Sequence, residues 1–229
     1  MEEDPLTKLT NYMLRIFNYF FIIFIFIPNI ALAEKVNVFK FTKEELSKLK
    51  VKKIRGADSK TQYTLGSNKN GKYMRAEANN SASGLGKEIK INLDKTPFLN
   101  ITWKVEKDLS GIDEESKKGH DFAARIFVVK KTGATPLSNR AMNYVFSSNN
   151  DINTFHPSPY TKKSIDYVLS TTKEHLNEWV TVKVNVKEHF KKFHNLDLNE
   201  INGVAIMSDT DNSKLNSISY YQNIYFSSN

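Results

Sequence analysis

Two short polar motifs carry the residues most suited to chemistry. The first, GHDFAAR at residues 119–125, places the carboxylate of Asp121 and the guanidinium of Arg125 on one face of a predicted strand. At about 3.3 Å per residue the two lie about 13 Å apart along the strand, so we do not expect them to pair directly. Arg125 either pairs with an acid of a neighbouring strand and braces the sheet, or binds a carboxylate, a sulfate or a sugar hydroxyl through bidentate hydrogen bonds.

The second motif, SDTDNS at residues 208–213, brings several oxygen atoms together at the end of a predicted strand. Asp209, Asp211 and Asn212 are side chains of the kind that calcium loops use as ligands. The EF-hand pattern is absent, because the Gly and Glu that it requires do not follow. Asp and Asn also form tight turns without an ion. A turn is therefore the favoured interpretation, a calcium site with these three ligands is the alternative, and no other cofactor is predicted.

A third group is aromatic and polar. Asn143 and Tyr144 belong to a predicted strand, and we expect them to flank Asp121 and Arg125 as ligand contacts. Aromatic rings stack on sugar faces in carbohydrate-binding sandwiches, although most aromatic residues in a domain of this size fill the core. Trp103 alternates with apolar neighbours, so we predict that it lies in the core. The other members of the group are Phe146, His156, Tyr160 and Trp179.

Enzyme signatures are scarce. The sequence has no nucleophile elbow, no HExxH motif and no glycine-rich phosphate loop. Its five histidines are scattered, and His189 and His194 are five residues apart, which is not the spacing of a helical metal pair. A glycosidase pair of carboxylates is defined by separation in space, so that alternative stays open. The sequence leans against an enzyme.

Period-two alternation of apolar and polar residues predicts about ten short strands, most of them exposed to solvent on one face. Residues 68–71 read as the turn of a β-hairpin. The further predicted strands span residues 88–93, 99–106, 122–130, 143–147, 165–169, 179–186, 203–208 and 218–226.

Only two short helices interrupt this pattern. One is predicted at residues 43–49, with a capping box formed by Thr42 and Glu45. The other is predicted at residues 187–193 and is expected to cross between sheets. The sequence therefore predicts an all-β fold, an antiparallel β-sandwich of jelly-roll type with two short helices; a closed barrel is the alternative.

The N-terminal segment is typical of a secretory signal peptide. Residues 17–33 read FNYFFIIFIFIPNIALA, an apolar run that ends in the A-x-A pattern of a signal-peptidase site. We expect cleavage after Ala33, which leaves residues 34–229 as a single β-sandwich domain without a membrane span. The absence of cysteine fits a bacterial periplasmic or secreted protein that is stabilised without disulfides.

The charge balance is basic. The 229 residues include 33 Lys and Arg against 25 Asp and Glu, a formal net charge of +8. This charge permits an acidic partner, such as an anionic glycan or a membrane surface. Lysine is spread along the chain without a clustered stripe, so no nucleic-acid site is predicted.

Three segments together resemble a known family. They are AEANNSASGL at residues 76–85, GHDFAARIFVV at residues 119–129, and GVAIMSDTDNS at residues 203–213, which is followed by YYQNIYF. They resemble the exported bacterial family called domain of unknown function 3047. His120 stands where the family has the first Asp of DDFAAR, which puts a two-carboxylate role there in doubt. The resemblance implies a layout similar to the galactose-binding-like jelly rolls of carbohydrate-binding modules, and such a likeness of fold does not establish function.

The leading hypothesis is an exported, non-catalytic β-sandwich that binds a glycan or another polar ligand. Asp121, Arg125, Asn143 and Tyr144 are its expected ligand contacts. One alternative is a glycoside hydrolase or polysaccharide lyase, which requires carboxylates that face each other with a raised pKa. A second alternative is a structural protein of the cell envelope, which requires a large exposed apolar patch.

Overall fold

Alternation of apolar and polar residues folds the chain into two β-sheets that face each other. The computed structural model describes residues 33–49, 51–54, 56–135 and 138–229. The predicted signal peptide lies outside the described residues except for its last residue, Ala33.

The first sheet contains six strands within the described residues: β1 (Lys35–Asn37), β3 (Gln62–Asn68), β4 (Gly71–Asn79), β6 (Phe98–Lys107), β11 (Val180–Asn185) and β13 (Asn216–Ser227). Their order is β11-β6-β13-β4-β3, with β1 paired to β13. The hairpin β3–β4 turns at residues 68–71, as predicted, and Gly71 has a φ of 121°, which suits glycine.

The second sheet contains seven strands within the described residues, in the order β2-β5-β12-β7-β8-β10-β9. Its strands are β2 (Val51–Lys53), β5 (Ala82–Asn92), β7 (Ala124–Lys130), β8 (Arg140–Ser147), β9 (Phe155–Ser158), β10 (Thr161–Thr171) and β12 (Glu200–Asp209). Pairing is antiparallel in both sheets apart from β8 and β10, which run parallel. The prediction of an antiparallel-dominated β-sandwich is confirmed, with this one parallel pair as an exception.

The apolar core lies between the two sheets. Trp103 on β6 is fully buried and contacts Phe146 on β8, with ring centroids 5.4 Å apart. Its indole Nε1–H also donates to Ser170 Oγ at 3.0 Å, so that the polar atom of the ring is satisfied. The expected core position of Trp103 is therefore confirmed.

The helices are short. Helix α1 (Lys43–Leu46) ends three residues before its predicted end. Thr42 Oγ1 accepts from Glu45 N at 3.1 Å, but the Glu45 carboxylate accepts from Phe41 N at 2.9 Å and Lys40 N at 2.7 Å instead of closing a capping box. The reason is local: Phe41 has a φ of 49°, so the chain turns sharply just before the helix.

Two further helices follow along the chain. Helix α2 (Thr172–His175) was not predicted and directly follows β10. Helix α3 (Val186–His194) carries the chain from β11 in the first sheet towards β12 in the second, as expected. Asn195 ends it in the left-handed conformation. No helix among the described residues is long and apolar enough to span a bilayer.

The second sheet has two differently used faces. Along β7, Ala124, Ile126 and Val128 belong to the core between the sheets. Arg125 and Phe127 point to the opposite face, because successive strand residues alternate. Residues of the strands of this sheet and of the adjoining loops line a pocket on this outer face, which is the candidate site.

Candidate functional site

Polar side chains on the outer face of the second sheet surround a pocket of about 530 Å³. They come from four neighbouring strands, β12, β7, β8 and β10, from the loops that precede β7 and follow β12, and from the turn between β9 and β10. The polar and aromatic side chains of the wall include His120, Arg125, Phe127, Asn143, Tyr160, Asp166, Asp209, Asp211 and Asn212.

Arg125 lies at the centre of the wall. The residue is only 3% exposed, and its guanidinium forms an ion pair with Asp209 of the adjacent strand β12. The guanidinium carbon lies 5.1 Å from the ring centroid of Phe122 and 5.5 Å from that of Phe127. Two aromatic faces and a carboxylate therefore hold the cation in place.

The strand that carries Arg125 starts later than predicted. Phe122, the first residue of the strand predicted at residues 122–130, precedes β7 and packs with Val145 and Val168 in a separate apolar cluster. Because the strand begins only at Ala124, alternation does not extend back to Phe122. This correction explains how Phe122 comes to contact the guanidinium of Arg125.

Asp121 organises the loop at residues 209–213. Its carboxylate accepts three hydrogen bonds, from Asn212 N at 3.2 Å, Asn212 Nδ2 at 2.9 Å and Ser213 N at 2.6 Å. One carboxylate oxygen each of Asp121, Asp209 and Asp211 lie within 4.8 Å of one another. The loop thus presents three acids in a small volume.

Asp211 differs from the other two acids. Its carboxylate accepts no hydrogen bond from another described residue and lines the pocket. Burial raises the pKa of Asp211, and the nearby negative charge of Asp121 raises this pKa further. The site therefore holds a half-buried acid without a direct counter-charge.

A second polar network stands on β8, β10 and the loop before β7. Asp166 is fully buried; it lies 2.7 Å from His120 Nε2 and accepts from Asn143 Nδ2. His156 Nδ1 lies 3.7 Å from the same carboxylate. Burial lowers the pKa of His120 despite the opposing effect of Asp166, so we assign a neutral ring that donates from Nε2.

Three buried polar atoms in this region have no partner among the described residues: Arg125 Nε, Asn143 Oδ1 and His156 Nε2. Arg125 and Asn143 line the pocket, whereas His156 stands behind Asp166. An unpaired buried donor or acceptor costs about 1–3 kcal/mol. A ligand with hydroxyl groups would remove this cost.

Tyr160 forms the exposed rim of the pocket. Its side chain is 57% exposed, and its hydroxyl donates to Asn212 Oδ1 at 2.7 Å, with Lys117 O at 3.1 Å. Its ring contacts the edge of His120, with centroids 5.5 Å apart. The ring is thus fixed at the entrance by its hydroxyl while much of its surface faces solvent.

Tyr221 of the first sheet supports the site from behind. The regular pairing of β12 with β7 ends at Met207 and Arg125. There the buried Tyr221 hydroxyl accepts from Arg125 N at 3.1 Å and donates to Met207 O at 2.6 Å. The next hydrogen bond joins the end of β12 to the segment just before β7, from Asp209 N to Phe122 O at 3.2 Å. Tyr221 therefore bridges the irregular step that precedes the Arg125–Asp209 pair.

Most of the expected site residues converge on the pocket. They are Arg125, Asn143, Asp209, Asp211 and Asn212 in its wall, with Asp121 in contact behind them. The side-chain amide of Asn212 donates to Asp121 and accepts from the Tyr160 hydroxyl. The three carboxylates that could hold an ion are those of Asp121, Asp209 and Asp211, so Asp121 replaces Asn212 in the predicted set.

Tyr144 does not join the site. It follows Asn143 on β8, so alternation turns it into the core, where its ring contacts Tyr167 and His189. Sequence reasoning also missed Asp166, the acid at the centre of the second network. A signal existed: it is a single acid inside the apolar strand at residues 165–169, and its register partner is Asn143.

Several solved structures resemble the fold at low identity. The family 30 carbohydrate-binding module of the cellulosomal cellulase Cel9D-Cel44B of Clostridium thermocellum is 9% identical, with 84% of this chain and 96% of that chain covered and a TM-score of 0.47. The xyloglucanase domain of NopAA from Sinorhizobium fredii, in complex with cellobiose, is 10% identical (76% and 91% covered, TM-score 0.41). Endoglucanase 3 of Trichoderma harzianum, from family GH12, is 8% identical (86% and 97% covered, TM-score 0.44). Likenesses this distant carry no argument about what this chain does.

No curated protein matches the chain. The sequence does match, over residues 47–225 of 229, the family described as protein of unknown function (DUF3047). This range contains all three segments on which the resemblance rested, and both motifs that build the pocket. The chain belongs to the DUF3047 family.

Proposed function

We propose that the pocket binds a glycan or a similar polyhydroxylated ligand without catalysis. One observation carries the proposal: the wall contains a buried, unpartnered donor, Arg125 Nε, and a buried, unpartnered acceptor, Asn143 Oδ1. A sugar hydroxyl donates and accepts hydrogen bonds, so adjacent hydroxyls satisfy both atoms. Purely apolar ligands would leave both atoms unsatisfied.

Size and shape support the same proposal. A volume of about 530 Å³ lies within the usual range of ligand pockets, about 300–1,000 Å³. The exposed ring of Tyr160 at the rim offers an apolar face against which the C–H groups of a sugar can pack. The pocket therefore combines hydrogen-bonding walls with an aromatic edge.

The arrangement favours binding over hydrolysis. Asp166 is occupied by donors from His120 and Asn143, and Asp209 is paired with Arg125. Asp211 has the raised pKa of a general acid, but a glycosidase also needs a second carboxylate that is free to act as base or nucleophile. A glycoside hydrolase or lyase remains the alternative, and release of reducing ends from a polysaccharide would favour it.

Export and calcium belong to the proposal as predictions. We expect a mature chain that starts at Glu34 in the periplasm or medium, and mass spectrometry of the recovered protein checks this start. Calcium at the predicted ligands Asp209, Asp211 and Asn212 is the alternative occupant of this loop and stays a prediction. A comparison of melting temperature with calcium and with EDTA checks that prediction.

The main experiment is a glycan array followed by isothermal titration calorimetry. We expect micromolar to millimolar binding, and at least a tenfold loss in Tyr160→Ala, because the aromatic face is removed. Phe155→Ala is the matched control: Phe155 is 50% exposed and does not line the pocket. Absence of binding in the wild type, or equal losses in the two variants, would contradict the proposal.

A further inference from the structure

The pocket is acidic although the chain is basic. Among the described residues, Asp166, Asp209 and Asp211 line it and Asp121 lies directly behind, against a single guanidinium, that of Arg125. These groups include more carboxylates than guanidinium cations, whereas the chain as a whole has a formal net charge of +8. The local field at the pocket therefore has the opposite sign to the net charge.

The compensation of these acids is uneven. Asp209 pairs with Arg125, Asp121 accepts three N–H donors, and Asp166 is held by donors from the second network. Asp211 has no such partner among the described residues. Its carboxylate has an oxygen within 4.8 Å of those of Asp121 and Asp209. The unmet negative charge of the pocket is thus concentrated at Asp211.

The charges of Arg125 and Lys214 act on Asp211 through space and lower its pKa, but by less than burial and Asp121 raise it. Lys214 Nζ is bound to Asp58 at 3.1 Å, outside the pocket wall. Lys117 Nζ lies 6.0 Å from the ring centroid of Tyr160, on the rim. Neither forms an ion pair with Asp211, so a cationic group of the ligand has room to do so.

We infer that the ligand presents a protonated amine to Asp211, as an amino sugar does, while its hydroxyl groups meet Arg125 Nε and Asn143 Oδ1. This inference rests on the proposed function and specifies its ligand class. An ammonium group offers N–H donors, and Asp211 is the member of this group of three acids whose carboxylate accepts no hydrogen bond from another described residue. The unpartnered acceptor Asn143 Oδ1 points to the same kind of ligand, one rich in donors.

A calcium ion fits the same volume less well. Calcium takes about six to eight oxygen ligands, yet Arg125 occupies Asp209 and three N–H groups occupy Asp121. Asn212 Oδ1, a predicted ligand, accepts from Tyr160 instead. The guanidinium would also repel a divalent cation placed between these carboxylates.

The charge argument equally opposes an anionic glycan. A uronate or sulfate group would enter beside Asp211 and raise the repulsion. The basic net charge of the chain permits such a partner at the surface, but the pocket wall disfavours it. Local charge decides here, because the excess lysines are spread along the chain.

The test is calorimetry on the mature chain near pH 5.5, so that the amines of the probe are protonated. The probes are an oligomer of glucosamine, its fully N-acetylated form of equal length, an oligouronate, and calcium chloride alone. We expect the amino oligomer to bind about tenfold more tightly than the N-acetylated one, as one charge-assisted hydrogen bond requires. Asp211→Asn should remove this preference and still fold, since the lost carboxylate has no partner.

The matched control is Asp94→Asn, an exposed acid outside the pocket wall that pairs with Lys187. It should keep the preference. Equal or tighter binding of the N-acetylated oligomer or the oligouronate would overturn the inference and leave the proposed function standing. Calcium binding that Asp211→Asn abolishes, without amine binding, would also overturn it. No binding of any of these oligomers would overturn the inference, and the glycan array would then decide whether the proposed function stands.

Discussion

The two faces of the second sheet bury their side chains to a similar extent but with opposite chemistry. On the inner face, Ile126 and Phe146 join an apolar core with Trp103. On the outer face, Arg125 and Asp166 are almost as deeply buried as these core residues, yet their side chains are ionisable. Apolar burial stabilises a fold by about 25 cal/mol per Å², whereas a buried ion pair is often neutral or costly. The outer face is therefore not explained by stability.

The largest effect is expected on the inner face, in Trp103→Ala. The loss of a fully buried ring in contact with Phe146 should lower the free energy of unfolding by roughly 3–5 kcal/mol, measured by urea denaturation. Trp179→Ala is the control, because Trp179 is only partly buried and should cost much less. Similar losses of stability in the two variants would contradict the claim that the buried apolar residues of the inner face stabilise the fold.

Arg125→Met should destabilise by roughly 3 kcal/mol for a different reason. The methionine fills part of the volume, but Asp209 and its acidic neighbours remain buried without a counter-charge. The double variant Arg125→Met with Asp209→Asn should regain part of this loss, since both partners of the pair are then uncharged. A double variant as unstable as the sum of the single ones would show that the pair is not coupled.

Tyr221→Phe should cost about 1–2 kcal/mol and weaken ligand binding as well. The change removes the hydroxyl that accepts from the backbone N–H of Arg125 and donates to the backbone carbonyl of Met207. Tyr225→Phe, on the same strand at the ring that contacts Lys35, is the control. Loss of stability without loss of affinity would mean that Tyr221 stabilises the fold but does not support the pocket on the outer face.

Asp211→Asn should have the smallest effect and the opposite sign. The pKa of Asp211 in the folded state is raised above its ordinary value of 3.8. Ionisation therefore lowers the stability as the pH rises from 3.8 through the folded-state pKa. The variant should be more stable than the wild type at neutral pH, by less than about 1 kcal/mol because water screens a half-buried group. The difference should vanish in acid, below pH 3.8, which melting curves across pH check. Destabilisation at neutral pH would mean that Asp211 has a structural partner.

The sequence predicted the sheets well because alternation reports directly on burial. The strands at residues 99–106 and 218–226 and the turn at residues 68–71 agree with the structure within a few residues. The missed elements β1, β2, β9 and α2 have three or four residues each, too few to show a period. The parallel pairing of β8 with β10 was also missed, since strand order depends on long-range packing.

The site was predicted in part, for a related reason. Motifs local in sequence identified Asp121, Arg125 and Asp209, although the pairing of Arg125 with Asp209 is a property of neighbouring strands. Asp166 and His120 are 46 residues apart, so no local motif contains both. The expectation for Tyr144 was wrong because adjacent residues of a strand face opposite sides.

The bonds that Asp121 makes to Asn212 and Ser213 have a further consequence, for the order of folding. These partners are 91 and 92 residues apart, and the contact between Phe122 N and Asp209 Oδ1 spans 87 residues. Closing such long segments of chain is entropically costly and slow, and β12 must dock on β7 before the loop can be held. The pocket is thus assembled late, and occupancy by a ligand reports that the whole sandwich has closed. A ligand bound only to that state would retard global unfolding and raise the melting temperature with its concentration.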